Sequence, residues 1–286
     1  METGSVLVVG ARGMAGADFF KCWPGATGLD LPEINITDRD SCLRIVAELR
    51  PQVIVNCAGA TGVDWCEAHR AEAFSVNADG AGNLAEAARE AGALIVQLST
   101  DYVFDGTSAG EYAETDPTGP SSVYAESKLE GERAVAQVTP RHIILRIGWL
   151  FGHADKSFVR AMLHRAADGE PVRVIDDQVG CPTYSYDIAE AIGRLVDMGA
   201  TGVFHFTNAG PCTRLEMARY IFDRAGMDAG RLVAITSSEL PWVAKRPARA
   251  VLSTKRYRGA TGAAPRHWRA AVDDALVCDG VKRHTG

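Results

Sequence analysis

The sequence predicts an α/β protein of the Rossmann type, a doubly wound parallel sheet carrying a smaller C-terminal substrate lobe. Three observations point there. Short runs that are apolar at every residue alternate with longer stretches of helical spacing, which is the pattern of strands buried on both faces. A glycine-rich turn joins the first apolar run to the first helix. The 286 residues suffice for one large α/β unit with a smaller lobe.

Taken in order, Val6–Val9 reads as a buried strand and residues 14–23 as the helix after it. Thr27–Leu29 is a short second strand ending at Asp30. Residues 40–49 have helical spacing, Pro51 punctuates, and residues 53–55 form a third strand. Residues 71–91, rich in Ala and Glu, read as one helix, and residues 94–98 as a fourth strand. A polar loop over 100–121 precedes a helix at 122–138 and a strand at 143–147. Beyond Trp149 the pattern changes. Apolar pieces at Val172–Ile175 and 203–206 mix with helices at 157–167, 187–198 and 214–225. Residues 1–150 are thus expected to form an NAD(P)-binding domain, its sheet completed by parts of 172–206. Residues 151–286 would build mainly the substrate lobe. The polar tail at 277–286 is expected to fray.

Composition narrows the function classes. Hydrophobic residues make up 47% and charged residues 23%, as in ordinary soluble proteins. A formal charge of −6 and no run of Lys and Arg argue against a nucleic-acid partner, which needs a basic face to displace counterions. No secretory leader or membrane span is evident before the first strand, so a cytoplasmic protein is expected. The seven cysteines (Cys22, Cys42, Cys57, Cys66, Cys181, Cys212, Cys278) include no CxxC pair, and their odd number does not complete a disulfide framework. They read as small buried hydrophobes in a reducing compartment.

The cofactor signal is Gly10-Ala11-Arg12-Gly13-Met14-Ala15-Gly16, spaced GxxGxxG after a strand and before a helix. Gly10 permits the sharp turn, Gly13 lets the backbone approach a pyrophosphate, and Gly16 lets helix and strand pack. Free N–H groups at the helix start face the phosphates. Asp30 follows about twenty residues after the motif begins, where an acid holds the adenosine ribose hydroxyls and favours NADH. Arg12 inside the turn suits a 2′-phosphate and NADPH, so the choice of dinucleotide stays open. Asp38 is placed either at the adenine or at a helix N-cap. Small residues at Cys57, Ala58 and Gly59 let the backbone lie close to the dinucleotide.

The catalytic signal is Thr100 just past the fourth strand, with Tyr124 and Lys128 four apart on one helical face. A phenol near pH 10 is a poor acid at neutrality. An adjacent ammonium stabilises the phenolate, which makes Tyr124 a usable proton donor to a carbonyl oxygen that Thr100 also holds.

Longer runs then make the sequence familiar. Leu98-Ser99-Thr100-Asp101-Tyr102-Val103-Phe104-Asp105-Gly106 resembles the signature of the dTDP-4-dehydrorhamnose reductase family among the extended short-chain dehydrogenases. So do Gly62-Val63-Asp64-Trp65-Cys66-Glu67, Val76-Asn77-Ala78, the run from Tyr124 to Glu132, Arg146-Ile147-Gly148-Trp149, the run from Asp177 to Thr183, and Arg246-Pro247. The resemblance implies reduction of the C4 ketone of dTDP-4-dehydro-6-deoxy-L-mannose to dTDP-L-rhamnose, with Thr100, Tyr124 and Lys128 catalytic. It implies Thr61, Val63, Asp101 and Trp149 around the sugar and nicotinamide. It leaves open another nucleotide-linked 4-keto-deoxysugar, or a non-catalytic role like that of the regulatory β subunit of methionine adenosyltransferase. Some relatives use Mg²⁺ at a subunit contact, but no acidic ligand set is matched for it here and no metal site is expected; the sequence does not give the oligomeric state, a homodimer being only the common case. Ser157, Ala250 and Ser253 depart from the family pattern in regions expected to shape the nucleotide-sugar pocket.

Overall fold

The computed structural model describes residues 6–167 and 169–278; most of the tail predicted to fray, residues 279–286, lies outside them. The first half runs β1 (Val6–Val9), α1 (Gly16–Cys22), β2 (Thr27–Leu29), α2 (Arg39–Leu49), β3 (Val53–Asn56), α3 (Val63–Ala68), α4 (Arg70–Phe74), α5 (Gly80–Ala91), β4 (Leu94–Thr100), α6 (Val123–Val138) and β5 (His142–Ile147). The second half runs β6 (Leu150–Phe151), α7 (Phe158–Ala167), β7 (Val172–Ile175), β8 (Val179–Gly180), β9 (Thr183–Tyr184), α8 (Ser185–Asp197), β10 (Gly202–His205), β11 (Cys212–Thr213), α9 (Arg214–Arg224), β12 (Leu232–Ile235), β13 (Arg249–Ala250), α10 (Lys255–Thr261) and α11 (Trp268–Cys278).

The central sheet has six strands in the order β10-β5-β4-β3-β1-β2. Every pairing in it is parallel. The inner strands β1, β3, β4 and β5 are buried on both faces, so successive residues enter different cores, while the edge strand β2 is largely exposed. Val6, Val8, Val53, Val55 and Val96 pack against Phe19 of α1, Trp23 at its C-cap, and Ile188 and Ile192 of α8. Leu7, Val9, Ile54 and Ile95 pack against Val46 of α2 and Leu84 and Ala88 of α5. Strand order reverses between β1 and β3, and ligands of such sheets bind in the crevice beyond the strand ends there. A separate core around Phe151, Met162, Leu215, Phe222 and Trp268 joins α7, α9 and α11.

Two expectations are corrected. The helix read over 71–91 is three pieces, with Ser75–Asp79 forming a π-helical turn between α4 and α5. Such turns insert one residue, to which a 3.6-residue periodicity is blind. The helix read over 14–23 begins at Gly16, because the turn itself occupies residues 10–15. Among the described residues no helix is long and apolar enough to cross a membrane.

Candidate active site

The glycine turn is built by close backbone approach. Gly10 has φ +79°, and a Cβ there would lie 2.5 Å from the Ala58 backbone nitrogen. Only glycine meets both demands. The Gly10 N–H is held by the Leu29 carbonyl at 2.9 Å, and the Gly13 N–H by the Gly10 carbonyl at 3.0 Å. Gly16 is buried directly beneath the turn. Beside it lies a cavity of about 250 Å³ lined by Gly10, Gly13, Asp30, Cys57, Ala58 and Gly59, with Ile34, Ile36 and Val76 as apolar walls. The Asp30 carboxylate is held rigidly, Oδ2 accepting from the Arg12 backbone N–H and Oδ1 from that of Leu31, both at 3.0 Å. This cradle fits the adenosine half of a dinucleotide.

Asp38 takes the helix-cap place expected of it. Its carboxylate caps α2, accepting from the backbone N–H groups of Asp40 at 3.0 Å and Ser41 at 3.2 Å. Both capping bonds use Oδ1, so the helix takes one of the two carboxylate oxygens.

A second cavity, of about 340 Å³, shares Gly13, Cys57, Ala58 and Gly59 with the first. It is lined by Met14, Thr61, Val63, Thr100, Asp101, Tyr124, Lys128 and Trp149, so residues that are distant in sequence converge on one space. Each has a structural cause. Thr100 ends β4, where its hydroxyl accepts from the Tyr102 N–H at 3.2 Å and donates to Asp101 Oδ1 at 3.1 Å. Ser122 caps α6, accepting from the Ala125 N–H at 3.3 Å, which sets where Tyr124 and Lys128 leave the helix. Asn77, on the π-helical turn, ties the loop after β3 to α6. Its Oδ1 accepts from the Ala60 N–H at 2.8 Å, and its Nδ2 donates to the Ala60 carbonyl at 3.0 Å and to Ser127 Oγ at 2.9 Å.

The electrostatics correct the simple picture of a phenol acidified by its neighbouring ammonium. Lys128 is 6% exposed, and its Nζ donates to the Leu98 carbonyl at 2.7 Å. Burial lowers its pKa to about 8, against the Glu132 carboxylate, which raises it. Burial likewise raises the Tyr124 phenol, so the free site holds it protonated. Asp101 is pushed up to about 7 by burial, opposed by its hydrogen bond from Thr100 and by Arg214. Its Oδ2 is buried with no hydrogen-bond partner among the described residues. Burial also pushes the Cys57 thiol up to about 12, leaving it an inert wall. Because kcat/KM reports free-enzyme ionisations, it is expected to fall as pH rises through about 8 and Lys128 loses its proton. A profile flat to pH 10 would remove that role.

Trp149 supplies the far wall. Its φ of +36° is strained for a bulky side chain. The Arg214 guanidinium carbon stacks 3.7 Å from the ring centroid. On Gly180 a Cβ would lie 2.4 Å from the indole Cε2, so glycine is required there by the ring.

Arg214 also lines a third cavity, of about 510 Å³, with Lys156, Arg165, Arg173, Arg246, Phe158 and Trp242. Among the described residues Arg214 has no carboxylate partner, whereas Arg173 pairs with Glu239 at 2.8 Å. Arg246 grips Asp64 through Nη2 at 2.6 Å, and Asp64 Oδ1 also accepts the Val243 and Ala244 N–H groups at 2.9 Å. This clamp pins the segment around residue 243 onto α3, beside Val63.

The sequence did not reveal Arg214 or the Asp64–Arg246 clamp as site features. The Asp64 and Arg246 motifs were visible, but their meeting depends on a contact across 182 residues. The departures also fall elsewhere than expected. Ser157 is fully buried, its Oγ accepting the Gly152 N–H at 3.2 Å. Ala250 is buried in β13, paired with Gly180 of β8. Ser253, also buried, donates its N–H to the Tyr112 carbonyl at 2.8 Å. These positions serve packing and loop ties and line none of the three cavities. The cysteines are all free, but only four are buried; Cys22 and Cys57 are half-buried and Cys278 is exposed. Among the described residues no group of three His, Cys, Asp or Glu side chains is placed to hold a metal.

Comparison with known proteins agrees with this architecture. Residues 4–279 match the family model described as the RmlD substrate binding domain. A dTDP-4-dehydrorhamnose reductase of Streptomyces griseus is 40% identical over 283 residues, covering 94% of this chain and 92% of the relative. A dTDP-4-keto-6-deoxy-D-glucose reductase of Streptomyces niveus is 39% identical over 275 residues, covering 94% and 96%. The crystal structure of the dTDP-4-dehydrorhamnose reductase of Bacillus anthracis, in complex with NADP, superposes with a TM-score of 0.92 at 30% identity, covering 95% of this chain and 98% of that one. On a match that spans nearly all of its length, the chain belongs to the RmlD family of dTDP-4-dehydrorhamnose reductases.

Proposed function

We propose that this protein is a nicotinamide-dependent reductase that converts the C4 ketone of dTDP-4-dehydro-6-deoxy-L-mannose to the alcohol of dTDP-L-rhamnose. The observation that carries this is the gathering of Thr100, Tyr124 and Lys128 in a cavity lying between the glycine-turn cradle and a basic cavity. The names of the relatives supply the substrate class.

The residues divide the work as follows. Asp30 and the backbone from Gly10 to Gly13 would hold the adenosine and pyrophosphate of a dinucleotide, and Lys128 would offer its remaining N–H donors to the nicotinamide end. When bound, the dinucleotide supplies the hydride. The ketone oxygen would rest beside the Tyr124 hydroxyl, which gives it its proton, and Thr100 would join it by turning its one O–H from Asp101 Oδ1. Asp101, poised near neutrality, meets a sugar hydroxyl with its free Oδ2, while Trp149 shields the ring from water. The nucleoside diphosphate lies in the adjoining cavity, where Arg214 faces the diphosphate and Phe158 and Trp242 wall the base.

The test is NADH and NADPH oxidation against a panel of nucleotide-linked keto sugars, with the product identified. Failure to turn over the dTDP-4-keto sugar removes this reading. Turnover of dTDP-4-keto-6-deoxy-D-glucose in its place favours a sister ketoreductase, a reading prompted by the Streptomyces niveus relative. Arg214→Met is expected to raise KM for the nucleotide sugar ~10–100-fold, the loss of one charge-assisted contact, with dinucleotide affinity retained. An unchanged KM would place the diphosphate elsewhere.

A further inference from the structure

Asp30 and Arg12 gave opposite indications for the 2′ group of the dinucleotide, and the structure pairs Arg12 with a third residue, Glu33, beside the adenosine cavity. The Arg12 guanidinium is turned away from the turn that carries it. Its Nη2 donates to Glu33 Oε2 at 2.6 Å and to the Leu31 carbonyl at 2.6 Å. Both partners lie on the segment just after Asp30, so the cation is folded onto the rim of the adenosine cavity and neutralised there. No Lys or Arg lines that cavity. Counting Asp30 and Glu33 as −1 each and Arg12 as +1, the rim carries a net charge of −1.

A ribose with a free 2′-hydroxyl suits such a rim. Asp30 spends one lone pair of each oxygen on a backbone N–H, leaving acceptor capacity for the hydroxyl. A 2′-phosphate brings a further −1.5 to −2. To meet it, Arg12 must leave Glu33, and the uncovered carboxylate then stands beside the phosphate.

We propose that Glu33 is a specificity-determining residue that sequesters Arg12 and so makes the enzyme prefer NADH over NADPH. The inference rests on the functional reading above, since it concerns the dinucleotide of that site. It extends that reading to a residue outside both the glycine turn and the catalytic set.

The test measures dissociation constants of NADH and NADPH for the purified full-length protein by calorimetry, without a sugar, and then the same for Glu33→Gln and for Glu33→Gln combined with Arg12→Ala. Wild type is expected to bind NADH more tightly. Glu33→Gln should tighten NADPH ~5–10-fold relative to NADH, a modest gain because the pair is exposed. The double variant should lose that gain, since the freed guanidinium produces it. NADPH bound as tightly as NADH by wild type, or a ratio unmoved by Glu33→Gln, overturns the inference and leaves the reductase standing. Binding of neither dinucleotide overturns both. The exposed position of Glu33 favours a folded variant, and far-UV circular dichroism verifies it.

Discussion

Tyr124→Phe is expected to lower kcat by ~10²–10⁴, the range that a positioned general acid contributes. Dinucleotide binding should persist, because the ring remains and only the hydroxyl is removed. The ring is braced edge-on by Tyr102, with centroids 5.9 Å apart, so its position does not depend on the hydroxyl. The buried phenol is held protonated, loaded for donation and not for abstraction. A phenylalanine variant with near-normal turnover would assign the proton to another group, and Asp101 would be the next to test. Rate and affinity must be measured separately, since a fall in both would report a collapsed cavity.

Arg146→Leu is expected to be the most damaging substitution for stability. The Arg146 guanidinium forks onto Glu132, Nε to Oε1 at 2.9 Å and Nη2 to Oε2 at 2.7 Å, with both side chains almost fully buried. Ser99 donates to the same carboxylate at 2.5 Å. Removing one partner of such a pair strands a charge in low dielectric and costs about 3–5 kcal/mol. At ~2–4 °C per kcal/mol, thermal unfolding should begin roughly 6–20 °C lower. Arg146→Lys should recover only part of this, because an ammonium lacks the planar fork. A Tm within about 2 °C of wild type would show that the pair carries no stability. The consequence reaches the chemistry, since Glu132 lies one turn beyond Lys128 and favours its charged form.

The sheet was legible because a strand covered on both faces must be apolar at every residue, as the runs at Val6–Val9 and residues 53–55 are. The cavity's composition was legible because Tyr124 and Lys128 share a helical face and Thr100 ends a strand. What escaped was set by contacts that local patterns do not carry. Asp38 is an acceptor whether it serves a helix or a ligand, and its cap on α2 becomes visible only in the coordinates. Arg214 reads as an ordinary first-turn residue of α9 after the Thr213–Glu216 capping box, and its place over Trp149 depends on how the lobe packs. Arg12 suggested a free cation because its partner Glu33, 21 residues away, belongs to no motif.

The indole of Trp149 and the missing methyl of Gly180 limit how either position can be replaced. Neither can be exchanged alone: any larger residue at 180 collides with the ring, and a smaller residue at 149 opens a void against the bare strand. Replacing Trp149 by alanine should therefore make Gly180→Ala harmless, and breeding a new sugar preference into this wall is a two-step change whose first step alone is a loss.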